Sequence, residues 1–273
     1  MKALQIVKYG DIQDSLAFNE ISKPNIEAND VLIEVKAAAI NPIDKSIVLG
    51  NLQGMLPIPF PSTTAYDVSG VVIEKGNDVS TLEIGDLVYS RVPQEQMGTI
   101  AEYVAVNSMA VSKKPGNISF EEAASLPLAG LTALQSLEYA GIKENDKVLI
   151  HAGSGGVGSF AIQYAKAKGA YVYTTTSTNN VQWVKDLGAD RVIDYKTEDY
   201  KTIVKDADIV FDTLGQSYTA EAFEVVKEGG KVVSVVGPLD EESAQMFGIA
   251  DYKLPEDLAT LSKDKGASYK FIF

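Results

Sequence analysis

The sequence predicts an α/β protein in which a doubly wound parallel sheet follows a smaller β-rich domain, and three observations lead there. From Lys147 onward, apolar strand-like runs alternate with helical stretches. A glycine-rich turn, His151-Ala152-Gly153-Ser154-Gly155-Gly156-Val157-Gly158, stands at the first strand-to-helix junction of that part. Before about Val111 the apolar pattern is instead short and broken by turns rich in Gly, Asn, Asp and Pro.

In the amino-terminal part, residues 30–36 and 69–74 are the clearest strands; 86–90 and 100–106 follow, the last alternating small and large side chains. A turn cluster, Lys113-Lys114-Pro115-Gly116-Asn117, then closes the domain. Ser119, with Glu122 three residues later, has the spacing of a capping box that opens a helix. The chain of 273 residues has room for two domains, and these signals divide it into residues 1–113 and 118–273.

In the carboxy-terminal part, a strand at 147–151, a helix from about Val157 to Lys168 and a strand at 170–176 form a βαβ unit. Further strands at 191–194, 208–212, 231–236 and 269–273, spaced by helical stretches, complete a Rossmann-type sheet. A bare G-x-G-x-x-G is a weak signal. Here Gly153, Gly155 and Gly158 directly follow an apolar strand and open a helix, the context a dinucleotide fingerprint requires. The first two glycines let the backbone turn sharply and approach a pyrophosphate, and the third lets helix and strand pack closely. Free N–H groups at the helix start then meet negative charge. The competing reading is a tight strand-to-helix turn with no ligand.

NAD-binding members of this fold carry an acid about 20 residues after the glycines, on the ribose hydroxyls. This chain has Ser177, Thr178, Asn179 and Asn180 there, uncharged donors that suit the 2′-phosphate of NADPH. NADPH is therefore expected over NADH, although the same residues also read as a polar turn capping a helix that starts near Asn180.

Composition narrows the partners. The formal charge of -13 repels phosphate backbones and anionic lipid surfaces, so neither nucleic acid nor a membrane is expected as a partner. No apolar run approaches the roughly 20 residues of a membrane-spanning helix. The first residues lack the apolar core and cleavage site of a signal peptide, which points to a cytoplasmic enzyme. Cysteine is absent and histidine occurs once, as His151, so the chain offers no thiol nucleophile and no donor set for zinc. His151 ends the first strand of the second domain and reads as packed or solvated rather than catalytic.

Five segments in order carry a resemblance: Ile40-Asn41-Pro42-Ile43-Asp44, Ala65-Tyr66-Asp67-Val68-Ser69-Gly70, Gly85-Asp86-Leu87-Val88, Ser125-Leu126-Pro127-Leu128-Ala129-Gly130-Leu131-Thr132-Ala133, and the glycine turn. Over nearly its whole length the chain resembles the medium-chain dehydrogenase/reductase superfamily, in its zinc-free quinone oxidoreductase and alkenal reductase branch. The resemblance implies a GroES-like substrate domain ahead of the nucleotide-binding domain, with the active site in the cleft between them. It implies that Gly156, Val157, Ser177, Thr178, Asn179, Asn180 and Tyr195 line the phosphates and adenosine, and that Thr132 and Leu214 lie near the nicotinamide. Zinc-dependent relatives carry an early cysteine ligand, a Gly-His-Glu segment and a four-cysteine lobe. Here Ala65-Tyr66-Asp67 stands at the Gly-His-Glu position, and no metal is expected.

Without a Lewis acid a simple ketone is poorly polarised, so the expected acceptor is already electrophilic: a quinone or an α,β-unsaturated carbonyl, reduced by hydride from nicotinamide C4. Nearby donors would hold the enolate, and solvent could deliver the proton. Tyr66 and Asn41 match the family's substrate-cleft segments and are the expected catalytic donors, with Tyr66 equally readable as a core aromatic. Lys45 is a candidate cofactor contact, shifted by one from the lysine of relatives, which falls where this chain has Ser46. Tyr164 and Lys168 share the Tyr-x-x-x-Lys spacing of short-chain dehydrogenases. They fall on the helix after the glycine turn, however, and read as an ordinary amphipathic face. Relatives continue beyond the strand at 269–273 and return to the first domain, so that return segment is read as missing here. In relatives this strand also pairs with its copy, which makes a homodimer an expectation. Two other readings stay open: an NADPH-binding protein without turnover, and an alcohol or ketone oxidoreductase.

Overall fold

Short runs of β-branched residues fold as strands through the first part of the chain. In the computed structural model, which describes residues 1–273, the chain separates into two units, Met1–Leu128 and Ala129–Phe273. The strands of the first unit are β1 (Lys2–Ile6), β2 (Leu16–Glu20), β3 (Asp30–Ala39), β4 (Ser62–Thr63), β5 (Asp67–Lys75), β6 (Leu87–Arg91), β7 (Tyr103–Asn107) and β8 (Val111–Lys113). They form a three-stranded sheet, β2-β1-β4, and a five-stranded antiparallel sheet, β7-β3-β5-β6-β8. Side chains alternate across the sheet as the period-two pattern requires: on β7, Val104 and Val106 are buried beneath half-buried neighbours. At Gly70 the long β3–β5 pair comes close enough that a Cβ would stand 2.1 Å from the Glu34 carbonyl oxygen, so only glycine fits. Ile6, Val31, Ile33, Val68, Val72 and Val88 form part of the core.

Three helices lie wholly in this unit: α1 (Ile12–Ser15), α2 (Pro42–Val48) and α3 (Phe120–Ala124). The expected capping box opens α3, with Ser119 N–H donating to Glu122 Oε2 at 2.7 Å and Glu122 N–H to Ser119 Oγ at 3.1 Å. Helix α3 packs on β3, β5 and β6, and Ser69 Oγ donates to the Phe120 carbonyl at 2.5 Å. This helix therefore belongs to the first unit, and the division falls at Leu128 rather than at the turn 113–117.

The second unit is one parallel sheet of β9 (Lys147–Ile150), β10 (Tyr171–Thr176), β11 (Arg191–Asp194), β12 (Ala207–Asp212), β13 (Val226–Ser234) and β14 (Ser268–Phe271), ordered β11-β10-β9-β12-β13-β14. The helices are α4 (Pro127–Ala140), α5 (Gly156–Ala167), α6 (Val181–Asp186), α7 (Tyr200–Ile203), α8 (Ser217–Val225), α9 (Glu241–Met246) and α10 (Glu256–Lys265). Both faces of the sheet are covered, which is why its strands read as continuous apolar runs. Val148, Ile150 and Val172 pack with Leu137, Ala161 and Ile162, whereas Leu149, Val210 and Val232 pack with Tyr200, Phe223 and Leu258. No helix is long and apolar enough to cross a membrane.

Candidate functional site

Strand β9 leads through His151 into a left-handed Ala152, φ 50°, and the glycine turn follows. Ala152 donates its N–H to Thr175 Oγ1 at 3.1 Å and Gly153 donates to the Thr175 carbonyl at 2.9 Å, so β10 fixes the turn from the side. None of Gly153, Gly155 and Gly158 has a positive φ; the sharp bend expected of glycine falls to Ala152 instead. What these glycines supply is room. A Cβ on Gly153 would stand 2.2 Å from Thr174 Oγ1, and one on Gly158 would stand 2.3 Å from the Ala152 carbonyl oxygen. On Gly155 the nearest atom would be that same oxygen at 3.3 Å, and on Gly156 the Ala129 Cβ at 3.6 Å. Gly153 and Gly158 thus serve the fold's own packing, while the exposed Gly155 and Gly156 leave bare backbone facing solvent. Helix α5 starts there with no side chain capping its first turn. Its free N–H groups and the positive end of its dipole are open to an anion, a seat that fits a pyrophosphate. Val157 and Gly158 form the rest of that first turn.

Beyond β10, Thr176 Oγ1 donates to Ser154 Oγ at 2.9 Å and ties the glycine turn to the turn at 177–180. There Thr178 and Asn179 are exposed, while Ser177 and Asn180 are half-buried and linked by an Asn180 Nδ2 to Ser177 Oγ bond of 3.3 Å. Parallel pairing sets Thr176 opposite Asp194, and Tyr195 N–H donates to the Thr176 carbonyl at 3.1 Å, which brings the exposed Tyr195 beside the same turn. Asp194 is an acid the sequence reading missed, because it arrives from the neighbouring strand. The Thr178 hydroxyl, helped by the Lys196 N–H at 3.0 Å, holds its carboxyl below the usual range. Asp194 is itself buried and takes up the Thr178 hydroxyl, whereas the exposed Asn179 side chain is left facing solvent. Thr132 is half-buried on α4, and Leu214 is exposed in the loop after β12.

His151 is fully buried, edge-on to the Tyr200 and Tyr218 rings at 5.1 and 5.3 Å, and so is packed rather than available for chemistry. Tyr164 and Lys168 both meet the exposed Glu138, the lysine at 2.9 Å, an arrangement that belongs to a solvated helix face.

In the first unit, Asn41 precedes α2 and joins two buried carboxylates. Its N–H donates to Asp44 Oδ2 at 2.6 Å and its Nδ2 to Asp67 Oδ2 at 2.9 Å; Asp67 also accepts the Leu128 N–H at 3.0 Å. Burial pushes the Asp44 carboxyl up to about 6 against the pull of the Asn41 N–H. Burial likewise pushes Asp67 up to about 7 against the bonds from Asn41 and Leu128. Arg91 faces Asp67 across the β5–β6 pair, and its guanidinium lies 5.0 Å over the Tyr66 ring. Tyr66 is enclosed. Its side chain is 1% exposed within the core, and its hydroxyl is closed to solvent and without a partner. That burial favours the core-aromatic reading of Tyr66. Lys45 is exposed on α2.

Residues 27–116 match the family described as alcohol dehydrogenase GroES-like domain, and residues 156–255 the family described as zinc-binding dehydrogenase. The quinone oxidoreductase from Coxiella burnetii has the same fold at a TM-score of 0.86 and 36% identity, covering 100% of this chain and 82% of that one. The chain belongs to the medium-chain dehydrogenase/reductase superfamily, in its zinc-free quinone oxidoreductase branch. The chain is 40% identical over 245 residues to the 2-methylene-furan-3-one reductase of Solanum lycopersicum, covering 87% of this chain and 62% of that protein. It is also 40% identical over 245 residues to the chloroplastic NADPH-dependent alkenal/one oxidoreductase of Arabidopsis thaliana, covering 87% and 63%. The chain therefore spans less than two thirds of the length of these two relatives. No three His, Asp or Glu side chains of the chain come together in a group that could hold a metal ion.

Proposed function

We propose that this medium-chain reductase binds NADPH and delivers hydride to a quinone or to the β-carbon of an α,β-unsaturated carbonyl. The observation that carries the reading is the bare start of α5, where the exposed Gly155 and Gly156 carry no side chain to cover the first-turn N–H groups from Gly156 onward, which stay open to a pyrophosphate. Gly156, Val157 and Gly158 take the pyrophosphate. Ser177, Thr178, Asn179, Asn180 and Tyr195 take the adenosine and its 2′-phosphate, and Thr132 and Leu214 take the nicotinamide end. Bound there, NADPH supplies a hydride. On the substrate side, Asn41 keeps one amide N–H free after its bond to Asp67 and donates it to the oxygen where charge develops. In an enone, the electron pair displaced by the incoming hydride ends on the carbonyl oxygen, and the α-carbon then takes a proton from solvent. A chain without a ligand set for a Lewis acid favours such ready-made electrophiles over simple ketones. The names of the relatives, a reductase of a methylene-furanone, an alkenal/one oxidoreductase and a quinone oxidoreductase, support the same class.

The test follows NADPH absorbance as the purified chain is offered quinones and 2-alkenals. Oxidation with at least one of these acceptors is expected. Tight NADPH binding with no oxidation by any of them would leave a binding protein instead. Ser177→Asp is expected to weaken NADPH by at least about tenfold and NADH far less, because a carboxylate beside the 2′-phosphate repels it. Equal losses, read by titration, would move the 2′-phosphate away from Ser177.

A further inference from the structure

We infer that Asp212 is a positioning residue for the nicotinamide end of the nucleotide site, acting by joining the two loops that leave β12 and β13. The inference rests on the NADPH reading above. It begins from strand order. The anion seat follows β9 and the adenosine turn follows β10, so a dinucleotide laid along the carboxyl edge of β11-β10-β9-β12-β13-β14 must extend its other end over β12 and β13.

Asp212 ends β12 and is fully buried. Its Oδ1 accepts the N–H groups of Leu214 and Gly215, both at 2.9 Å. Its Oδ2 accepts the hydroxyls of Thr219 at 2.7 Å and Ser234 at 2.9 Å. One carboxylate thus ties together the loop after β12, the first part of α8 and the end of β13. Ser234 Oγ in turn accepts the N–H of Gly237 at 2.8 Å, which carries the chain of bonds into the loop after β13. The two loops also touch, since a Cβ on Gly215 would lie 2.9 Å from the Val236 carbonyl oxygen. At their tips Leu214 and Val236 stay 38% and 52% exposed. They form an apolar shelf held out over the edge where the nicotinamide must lie.

The charge of Asp212 matters to this arrangement. Burial alone would push its carboxyl up, but the His151 ring, with Nδ1 at 3.6 Å, the Thr219 hydroxyl and the Gly215 and Leu214 N–H groups outweigh burial and hold it well below the usual range. An amide at this position would turn one of two saturated acceptors into a donor. The shelf would then lose part of its anchorage while the adenosine turn, which Asp212 does not touch, stays in place.

Asp212→Asn and the milder Ser234→Ala test this, each assayed for melting, for NADPH affinity and for affinity toward adenosine 2′,5′-bisphosphate, which fills only the adenosine end. Asp212→Asn is expected to weaken NADPH by about tenfold or more while leaving the bisphosphate within about twofold, and Ser234→Ala to move the same ratio by less. A merely structural Asp212 would lower both affinities together or neither, and either pattern in a folded variant overturns the inference. Should Asp212→Asn fail to fold, the ratio in Ser234→Ala decides in the same way. Failure of the parent chain to bind NADPH would overturn the nucleotide reading and this inference with it. Tight parent binding with an unmoved ratio overturns the inference alone.

Discussion

Gly158→Ala should destabilise the second unit by about 3 kcal/mol, whereas Gly155→Ala, three residues away, should cost less than about 1 kcal/mol and weaken NADPH by at least about tenfold. The two glycines differ in what a methyl group would meet. At Gly158 it meets the Ala152 carbonyl oxygen at 2.3 Å and the Gly153 Cα at 2.9 Å, backbone atoms that cannot rotate away, so α5 must retreat from the turn. At Gly155 the backbone is already extended, φ -82° and ψ 168°, and alanine adopts it without strain. The added methyl instead occupies the space above the uncapped helix start. Melting curves and NADPH titration separate the two effects. A folded Gly155→Ala protein that binds NADPH as tightly as its parent would remove the pyrophosphate from this seat.

Raising the pH from about 5 to about 8 should weaken the first unit by something on the order of 4 kcal/mol. Asp44 and Asp67 have folded-state values of about 6 and about 7 against an ordinary 3.8, so the folded unit keeps protons that the unfolded chain has released. Stability is then greatest in mild acid and falls as pH rises through those two values. Asp44→Asn keeps an acceptor for the Asn41 N–H and replaces a charged oxygen, Oδ1, that has no partner. It should remove on the order of 2 kcal/mol of the slope and exceed the parent's stability in mild alkali. The lone tryptophan, Trp183, sits on α6 and reports the second unit, so amide exchange along β5 is the measurement to make. Protection of β5 that rises with pH would contradict the assignment.

The legible features were those encoded locally. The strand, glycine turn and helix at 147–168 lie within one stretch of chain, and both the period change and the glycine spacing can be read there directly. The Ser119–Glu122 capping box is local in the same sense. Features made by distant pairing stayed hidden. β1 and β2 are held by each other and by β4, so residues 2–6 carry little signal of their own. Asp194 reaches the 177–180 turn only through the register of β10 with β11. The four bonds to Asp212 come from residues up to 22 positions away. Tyr66 reads from sequence as a substrate donor or as a core residue, because burial depends on what covers it, and in the fold it lies among the buried residues of the first unit.

A left-handed alanine costs roughly 1 kcal/mol that glycine would not. At Ala152 that cost is offset within the fold itself, by its own N–H on Thr175 Oγ1 and by the Gly155 N–H on its carbonyl at 2.9 Å. The anion seat is therefore shaped while the protein folds, before any ligand arrives. Little loop freedom is left to lose on association, so a phosphate group meets a preorganised cradle rather than one it must assemble.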